Sequence, residues 1–373
     1  MYKKIIYILI IFSVGISVGL TYYLKQQTSL VQEEQEMKKE PEVIDPIVLQ
    51  VRGMSLDEKI GQLLMVGFVG QYLDSHIQKM VTQYHIGGVN LLARNVKDSN
   101  QVKKLISDLQ KISSIPLFIG TDQEGGINIR FKFLQELTPQ TKISDTVAAE
   151  QIAFDRAAEL KDLGVNMNFS PVVDYVSNDK SYLYKRTFGA SPNTAGELAN
   201  AMIDGYLKGG VIAVAKHFPG YGNVVLNPHT DESVLPISVA ELEINLASFI
   251  KVLTNKNTGA IMTAHIVIPE MDSKPATLSY KFITEILRNR LGFNGVVITD
   301  DIEMASVGHS VSDIAVESIK AGNDIIIDTY TPKNSIIIFD RLKQAVLNKE
   351  ISKERIDQSV IRILNLKKSI GAQ

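Results

Sequence analysis

The chain contains no cysteine. That excludes disulfides, thiolate metal sites and a cysteine nucleophile. It also excludes lipid attachment at an N-terminal cysteine, so any membrane anchor has to be the chain itself. Neither sign of charge is in excess: 39 Lys and Arg stand against 41 Asp and Glu, with no dense basic block in the part that reads as folded. No nucleic-acid partner is expected from such a balance. No His-x-His pair occurs. Metal-dependent barrels commonly use one, or a carbamylated lysine, so no metal or cofactor is expected. A glycine-rich phosphate loop is missing too; Gly67-Phe-Val-Gly70 is a poor match to the fingerprint after the first strand of a doubly wound sheet.

What is present is ordinary for a globular protein: 373 residues, 45% apolar and 21% charged, enough for one large domain or two small ones. The N-terminus stands apart. Lys3 and Lys4 precede 20 uncharged residues, Ile5 to Leu24, before Lys25. As a helix that run spans roughly 30 Å, the thickness of a bilayer core. The basic residues before it favour a cytoplasmic N-terminus. Residues 1–24 are therefore expected to be a single-pass membrane anchor with the rest of the chain outside the cytoplasmic membrane. A cleaved signal peptide and a secreted product are the alternative. Residues 25–46, with Gln26-Gln27, the Glu-rich run Glu33-Glu34-Gln35-Glu36, Pro41 and Pro46, read as a linker, with a short helical stalk open.

From residue 47 to 373, apolar runs of strand length alternate with stretches of helix length. The strand candidates are Leu63–Phe68, Gly87–Leu92, Pro116–Asp122, Val165–Pro171, Val211–His217, Ala260–Ile268, Gly295–Asp300 and Asp324–Thr329. They are rich in Val and Ile and lack polar alternation, as strands buried on both faces do. Helix starts lie between them: Ser55-Leu-Asp-Glu58 and Ser238-Val-Ala-Glu241 have the capping-box pattern. Asp145 precedes a periodic stretch that Gly164 can end, and Thr194-Ala-Gly-Glu197 opens another helix ending near Gly209-Gly210. Eight strands with intervening helices predict an α/β fold, a single-domain (β/α)8 barrel following the N-terminal transmembrane helix.

Function in a barrel sits at the C-terminal ends of the strands. Lys216-His-Phe-Pro-Gly-Tyr-Gly222 is the most telling such end: an apolar run stops in adjacent Lys and His and then a Pro-Gly turn. The third strand ends in Asp122-Gln-Glu-Gly-Gly126 with Arg130 nearby. The fourth gives Asn168 and Asp174, the sixth His265, the seventh Asp300-Asp301. Converging Asp, Arg, Lys and His suit a polyhydroxylated ligand, and glycoside hydrolysis needs an acid and a nucleophile or base about one sugar carbon.

Seven segments carry a more specific signal. They are Ile60-Gly-Gln-Leu-Leu-Met-Val-Gly-Phe68, Asp122-Gln-Glu-Gly-Gly126, Asn168-Phe-Ser-Pro-Val-Val-Asp174, Arg186-Thr-Phe-Gly189, Lys216-His-Phe-Pro-Gly220, Pro275-Ala-Thr-Leu-Ser279, and Leu291-Gly-Phe-Asn-Gly295 leading to Thr299-Asp-Asp301. In order and spacing, over about residues 50 to 370, the chain resembles the single-barrel β-N-acetylhexosaminidases of glycoside hydrolase family 3, which include peptidoglycan-recycling enzymes. The resemblance implies the barrel fold and a retaining mechanism on β-linked N-acetylglucosaminyl glycans. It places the nucleophile on Asp300, with Asp301 better suited to cap the following helix. It implies that Asp122, Arg186, Lys216 and His217 hold sugar hydroxyls. Arg130 either touches the sugar or braces the loop, and His265 either lines the pocket or packs at the strand end.

The departures from the family lie just downstream. Its Asp-Ser-His triplet, with His as proton donor and Asp as the partner that orients and charges it, reads Asn227-Pro228-His229 here. The second histidine of the family's Pro-Gly-His-Gly is Tyr221. Asn can hydrogen-bond an imidazole but cannot offset its charge, so Asp231 or Glu232 becomes the candidate partner for His229. Two classes of function stay open at this point: an exo-β-N-acetylglucosaminidase acting on cell-wall-derived or related glycans, and a sugar-binding barrel with an impaired acid. A family 3 β-glucosidase ranks third, since those commonly take their acid from a second α/β domain.

Overall fold

The computed structural model describes residues 1–37, 45–225, 233–304 and 310–371. The chain divides into two compact units, Met1–Leu49 and Gln50–Gln373. The first is dominated by one helix, Tyr2–Met37. It contains the uncharged run of the expected anchor and continues into the expected linker, taking in Lys25 and the Gln- and Glu-rich stretch. Among the described residues no helix is long and apolar enough to cross a membrane, so the expected transmembrane span has no support from the structure.

The second unit is a closed barrel of eight parallel strands. In chain order they are β1 Leu64–Val66, β2 Gly88–Leu91, β3 Phe118–Thr121, β4 Met167–Asn168, β5 Ile212–Phe218, β6 Ala260–Thr263, β7 Val296–Asp301 and β8 Ile325–Asp328. Each pairs with its sequence neighbours, and β8 closes on β1 through Leu64 opposite Ile326. Every strand residue is buried except Asp300, which is half-buried. Interior side chains fill the barrel on one side of the strands and helices cover the other, so the strands carry no polar alternation.

The helices start where their caps dictate. Ser55 and Glu58 form a complete capping box before Leu56–Gln62, and Ser238 and Glu241 do the same before Val239–Leu253. Asp145 caps Thr146–Leu163, which ends at Gly164 with a φ of 92°. The next helix begins earlier than Thr194: Ser191 is its N-cap and Pro192 takes the first helical position, where a missing N–H costs nothing. Between β6 and β7 lies a ten-residue π-helix, Lys281–Arg290. Helix Val311–Ala321 is capped by Ser310. Asp301 is therefore no helix cap; its Oδ1 accepts the Glu303 N–H at 3.0 Å in the turn that leaves β7.

Most strands are shorter than their apolar runs, and two are shortened most. Within Val165–Pro171 only Met167–Asn168 pairs as strand. Asparagine side chains extend the pairing: Asn166 accepts the Ile119 N–H at 2.7 Å, and Asn168 exchanges two hydrogen bonds with the Gln123 backbone, each at 2.9 Å. Ala260–Ile268 divides after Thr263, and Ile266–Val267 joins Ser233–Val234 in a separate two-stranded sheet. At the opposite end of the barrel the C-terminal helix Lys353–Ser369 carries a buried lysine. Lys367 Nζ donates to Gln62 Oε1 at 2.7 Å and stands 5.0 Å from the centre of the Phe118 ring.

Candidate active site

The two-residue alternation of a strand sends every second side chain into the barrel, and the last inward positions form the walls of a cavity. On three of the odd-numbered strands these positions are charged: Asp122 follows β3, Lys216 lies on β5 and Asp300 on β7. On the even-numbered strands they form the floor: Asn90 on β2, Phe169 after β4, Met262 on β6 and Ile327 on β8. All of them line one cavity of about 250 Å³ at the C-terminal ends of the strands. Arg130, Arg186 and His217 line the same cavity, together with Tyr182 and Tyr330 from the loops. Phe169 can occupy the floor because β3 has no side chain at Gly120; a Cβ there would stand 2.9 Å from Phe169 Cζ.

The charged wall is one connected network. Lys216 Nζ is 2.7 Å from Asp122 Oδ1 and 2.6 Å from Glu124 Oε1. Arg186 grips the Glu124 carboxylate at both oxygens, through Nε at 2.9 Å and Nη2 at 2.7 Å. Asn128 donates to the same carboxylate at 2.7 Å and accepts from Arg130, whose other arm reaches Asp122 at 3.2 Å. Arg130 therefore braces the loop and lines the cavity at once. The loop is held in turn by Gln123, whose Oε1 accepts the N–H groups of Arg130 at 2.8 Å and Phe131 at 3.0 Å. The turn after Glu124 needs glycine: Gly125 has a φ of 87°, and a Cβ there would stand 2.2 Å from the Thr138 carbonyl.

This network fixes charge states. Burial is the largest influence on Asp122 and would raise it, but Lys216 and Arg130 outweigh that and hold the carboxyl below its ordinary value. Glu124 is buried too, and Arg186 and Lys216 hold it far below the usual carboxylate range. Burial would lower Lys216, yet Asp122 and Glu124 keep it above its ordinary value. All three stay ionised at neutral pH, ready to donate to or accept from hydroxyl groups.

Asp174 organises the neighbouring turn. Its Oδ2 meets His217 Nδ1 at 2.8 Å and the His217 N–H at 2.9 Å, while Oδ1 accepts the Tyr221 N–H at 2.8 Å. His217 is thereby fixed with its ring in the cavity wall, and the Lys216–His217 peptide is cis. Tyr221, in the place of the family's second histidine, is fully buried. Its hydroxyl accepts the His265 N–H at 3.0 Å, and its ring packs edge-on against His217 and Tyr182.

Asp300 is the half-buried member. Its Oδ1 accepts the Asp301 N–H at 2.8 Å, which leaves Oδ2 for chemistry. Behind it, Asp301 accepts from the Thr329 hydroxyl. Burial, reinforced by the Asp300 charge, pushes the Asp301 carboxyl up to about 7 against that hydrogen bond and the Glu303 N–H. His265 Nε2 lies 2.9 Å from the Asp301 carbonyl and is no part of the cavity lining. Of the two readings of His265, bracing the end of β7 is the one the geometry supports.

Asp122, Arg130, Arg186, Lys216, His217 and Asp300 thus meet in one cavity. Asn168 braces backbone instead. His229, Asn227, Asp231 and Glu232 lie outside the described residues. Reading the sequence passed over Glu124 as a site residue, although its place two residues after Asp122 on an extended segment puts both carboxylates on one side. Asn90 was passed over as well, inside an otherwise apolar run.

Comparisons with known proteins show the family. The Glycosyl hydrolase family 3 N terminal domain matches residues 55–366. The chain is 30% identical over 284 residues to the Beta-hexosaminidase of Nitrosomonas eutropha, covering 73% of this chain and 82% of that one. It is 31% identical over 333 residues to Beta-hexosaminidase A of Pseudoalteromonas piscicida, covering 79% of this chain and 55% of the relative, so it spans about half that enzyme's length. Among solved structures, a glycoside hydrolase family 3 beta-N-acetylglucosaminidase from Paenibacillus sp. str. FPU-7 superposes with a TM-score of 0.82 at 34% identity, over 86% of this chain and 63% of that one. A barrel with these strand-end residues, matched along most of its length by these enzymes, belongs to glycoside hydrolase family 3, among its β-hexosaminidases.

Proposed function

We propose that the protein is a retaining exo-β-N-acetylglucosaminidase acting on cell-wall-derived or related glycans. One observation carries the reading: the Asp300 carboxylate faces the same cavity as a preformed, fully ionised array of Asp122, Lys216, Glu124 and Arg186. The array, with His217, orders the hydroxyls of one sugar at the end of a chain. Asp300 Oδ2 attacks the anomeric carbon as the bond from that carbon to the leaving oxygen breaks. The leaving oxygen takes its proton from His229. Water then attacks the glycosyl ester, its proton passing to His229, and Asp300 departs as carboxylate. The preformed charges favour the oxocarbenium-like transition state without reorganising.

Turnover of a chromogenic N-acetylglucosaminide beside the matching glucoside, by wild type and Asp300→Asn, tests this. Asp300→Asn should lose about three or more decades of kcat while still binding the sugar. Binding without turnover in the wild type would favour the sugar-binding alternative, in which the change to Asn227 has disabled the acid.

We further propose attachment of the barrel outside the cytoplasmic membrane through residues 5–24, supported by the 20 uncharged residues after Lys3 and Lys4. Fractionation decides it: a soluble product beginning near residue 25 would mean a cleaved signal peptide.

A further inference from the structure

Among the described residues six asparagines of the barrel are buried, Asn245 among them, and only Asn90 has a fully enclosed side-chain oxygen with no hydrogen-bond partner. Asn95, Asn166, Asn168 and Asn323 each brace backbone: Asn95 holds Leu92, Phe68 and Gly70, Asn166 holds Ile119 and Leu117, Asn168 holds Gln123, and Asn323 holds Thr277 and Ser318. Asn90 does not. It is 4% exposed and its Oδ1 has no hydrogen-bond partner among the described residues. The other residues of the cavity floor, Phe169, Met262 and Ile327, are apolar and offer no hydrogen bond. A buried amide left unmatched is costly, and an isosteric leucine would fit the same floor without that cost. The side chain lines the cavity that holds the charged array. Its partner is therefore to be sought in what enters the cavity.

We propose that Asn90 is a specificity-determining substrate contact, whose side-chain amide pairs with one hydroxyl of the sugar at the floor of the cavity. The inference rests on the glycosidase reading above and deepens it. The wall groups are charged and serve any hydroxyl within reach. A single neutral amide set among apolar side chains serves one position only, because a hydroxyl placed elsewhere on that floor would be desolvated without a partner. A turn about χ2 presents either end of the amide, so it can accept from the hydroxyl or donate to it. A site built to hydrogen-bond a hydroxyl rejects the analogue that lacks it, and here that selectivity falls on one ring position.

The test is a cycle of variant against substrate. Wild type and Asn90→Leu are assayed on an aryl N-acetylglucosaminide and on its 3-, 4- and 6-deoxy analogues, with Tm measured in parallel. Asn90→Leu should keep or raise the Tm, since an unmatched amide is replaced by an apolar side chain of the same shape. It should lower kcat/KM on the parent substrate by about 10- to 100-fold, chiefly through KM. For one of the three deoxy analogues the variant and wild type should be nearly equal, which identifies the hydroxyl. An unchanged kcat/KM on every substrate, or an equal loss on all four, overturns the proposal and leaves Asn90 as a floor residue holding only solvent. If the wild type turns over none of the four while binding N-acetylglucosamine, the glycosidase reading fails first and the inference with it.

Discussion

Lys367 offers a perturbation whose size follows from the structure. Its ammonium is buried at the closed end of the barrel, with Gln62 as its hydrogen-bond acceptor and the Phe118 ring beside it. No carboxylate is paired with it among the described residues. Burial pushes the amine down from 10.5 to about 7. Below pH 7 both folded and unfolded chains carry the proton, and the fold bears the whole cost of a buried charge. Between about 7 and 10.5 the unfolded chain holds a proton that the folded one does not, so stability rises with pH across that window. Each pH unit contributes about 1.4 kcal/mol, and the full span sets a ceiling of roughly 5 kcal/mol. Water penetration and relaxation reduce it, and removing the amine leaves Gln62 Oε1 without its donor, at about 1 kcal/mol. Lys367→Met should therefore be more stable than wild type by roughly 2–4 kcal/mol near pH 6, with the advantage shrinking steadily toward pH 10. Urea unfolding of both proteins at pH 6, 7.5, 9 and 10 measures it, because the difference between the two curves cancels every other titrating group. A difference that stays constant with pH would refute the reasoning, and would mean that the lysine keeps its ordinary affinity for protons inside the barrel.

The other expectations concern the cavity. Glu124→Gln removes a charge from between Lys216 and Arg186 and should cost about 3–5 kcal/mol in unfolding free energy, with kcat/KM falling at least 100-fold; thermal denaturation beside kinetics separates the two losses. Asp301, with a folded carboxyl raised from 3.8 to about 7, contributes stability in acid that is lost as pH rises through 7. Asp301→Asn should thus match wild type near pH 4 and exceed its Tm above pH 7, and equal Tm profiles at both ends would contradict the raised value. If the partner of His229 is missing, Asn227→Asp should raise turnover of substrates with poor leaving groups while Asp231→Ala changes little; if Asp231 has taken over, Asp231→Ala should impair those same substrates far more than aryl ones.

Much of the barrel was legible because strands buried on both faces leave continuous apolar runs, and each of the eight runs overlaps a barrel strand, with β5 and β7 extending one residue past theirs. Where the runs misled, side chains were responsible. Asn166 and Asn168 extend the pairing of β4 beyond its two strand residues, and the break after Thr263 follows from contacts of Ala264 and His265 with Phe218 and Tyr221, far away in sequence. The helix Pro192–Lys208 starts two residues before the expected Thr194 because Ser191-Pro192, and not the Thr194–Glu197 pattern, supplies its cap and first turn. In the site, Asp122, Lys216, His217 and Asp300, singled out at strand ends in the sequence, line one cavity, whereas Glu124, although it lies inside the quoted Asp122–Gly126 segment, is recognisable only through its partners. Glu124 matters through Arg186, 62 residues on. Asn90 stands out only once the rest of the cavity floor is known to be apolar and its oxygen unmatched.

The alternation of strands around the cavity has a bearing on how such a pocket can diversify. The charged strand-end side chains come from β3, β5 and β7 and those that shape the floor from β2, β4, β6 and β8, with Arg186 joining the charged wall from the loop after β4. A change at Asn90, Met262 or Ile327 alters the floor without unpairing Lys216, Glu124 or Arg186, whereas a change in the charged wall disturbs several partners at once. Mutational drift, or a laboratory library confined to the even strands, can therefore explore new sugars while the bond-breaking machinery is inherited intact.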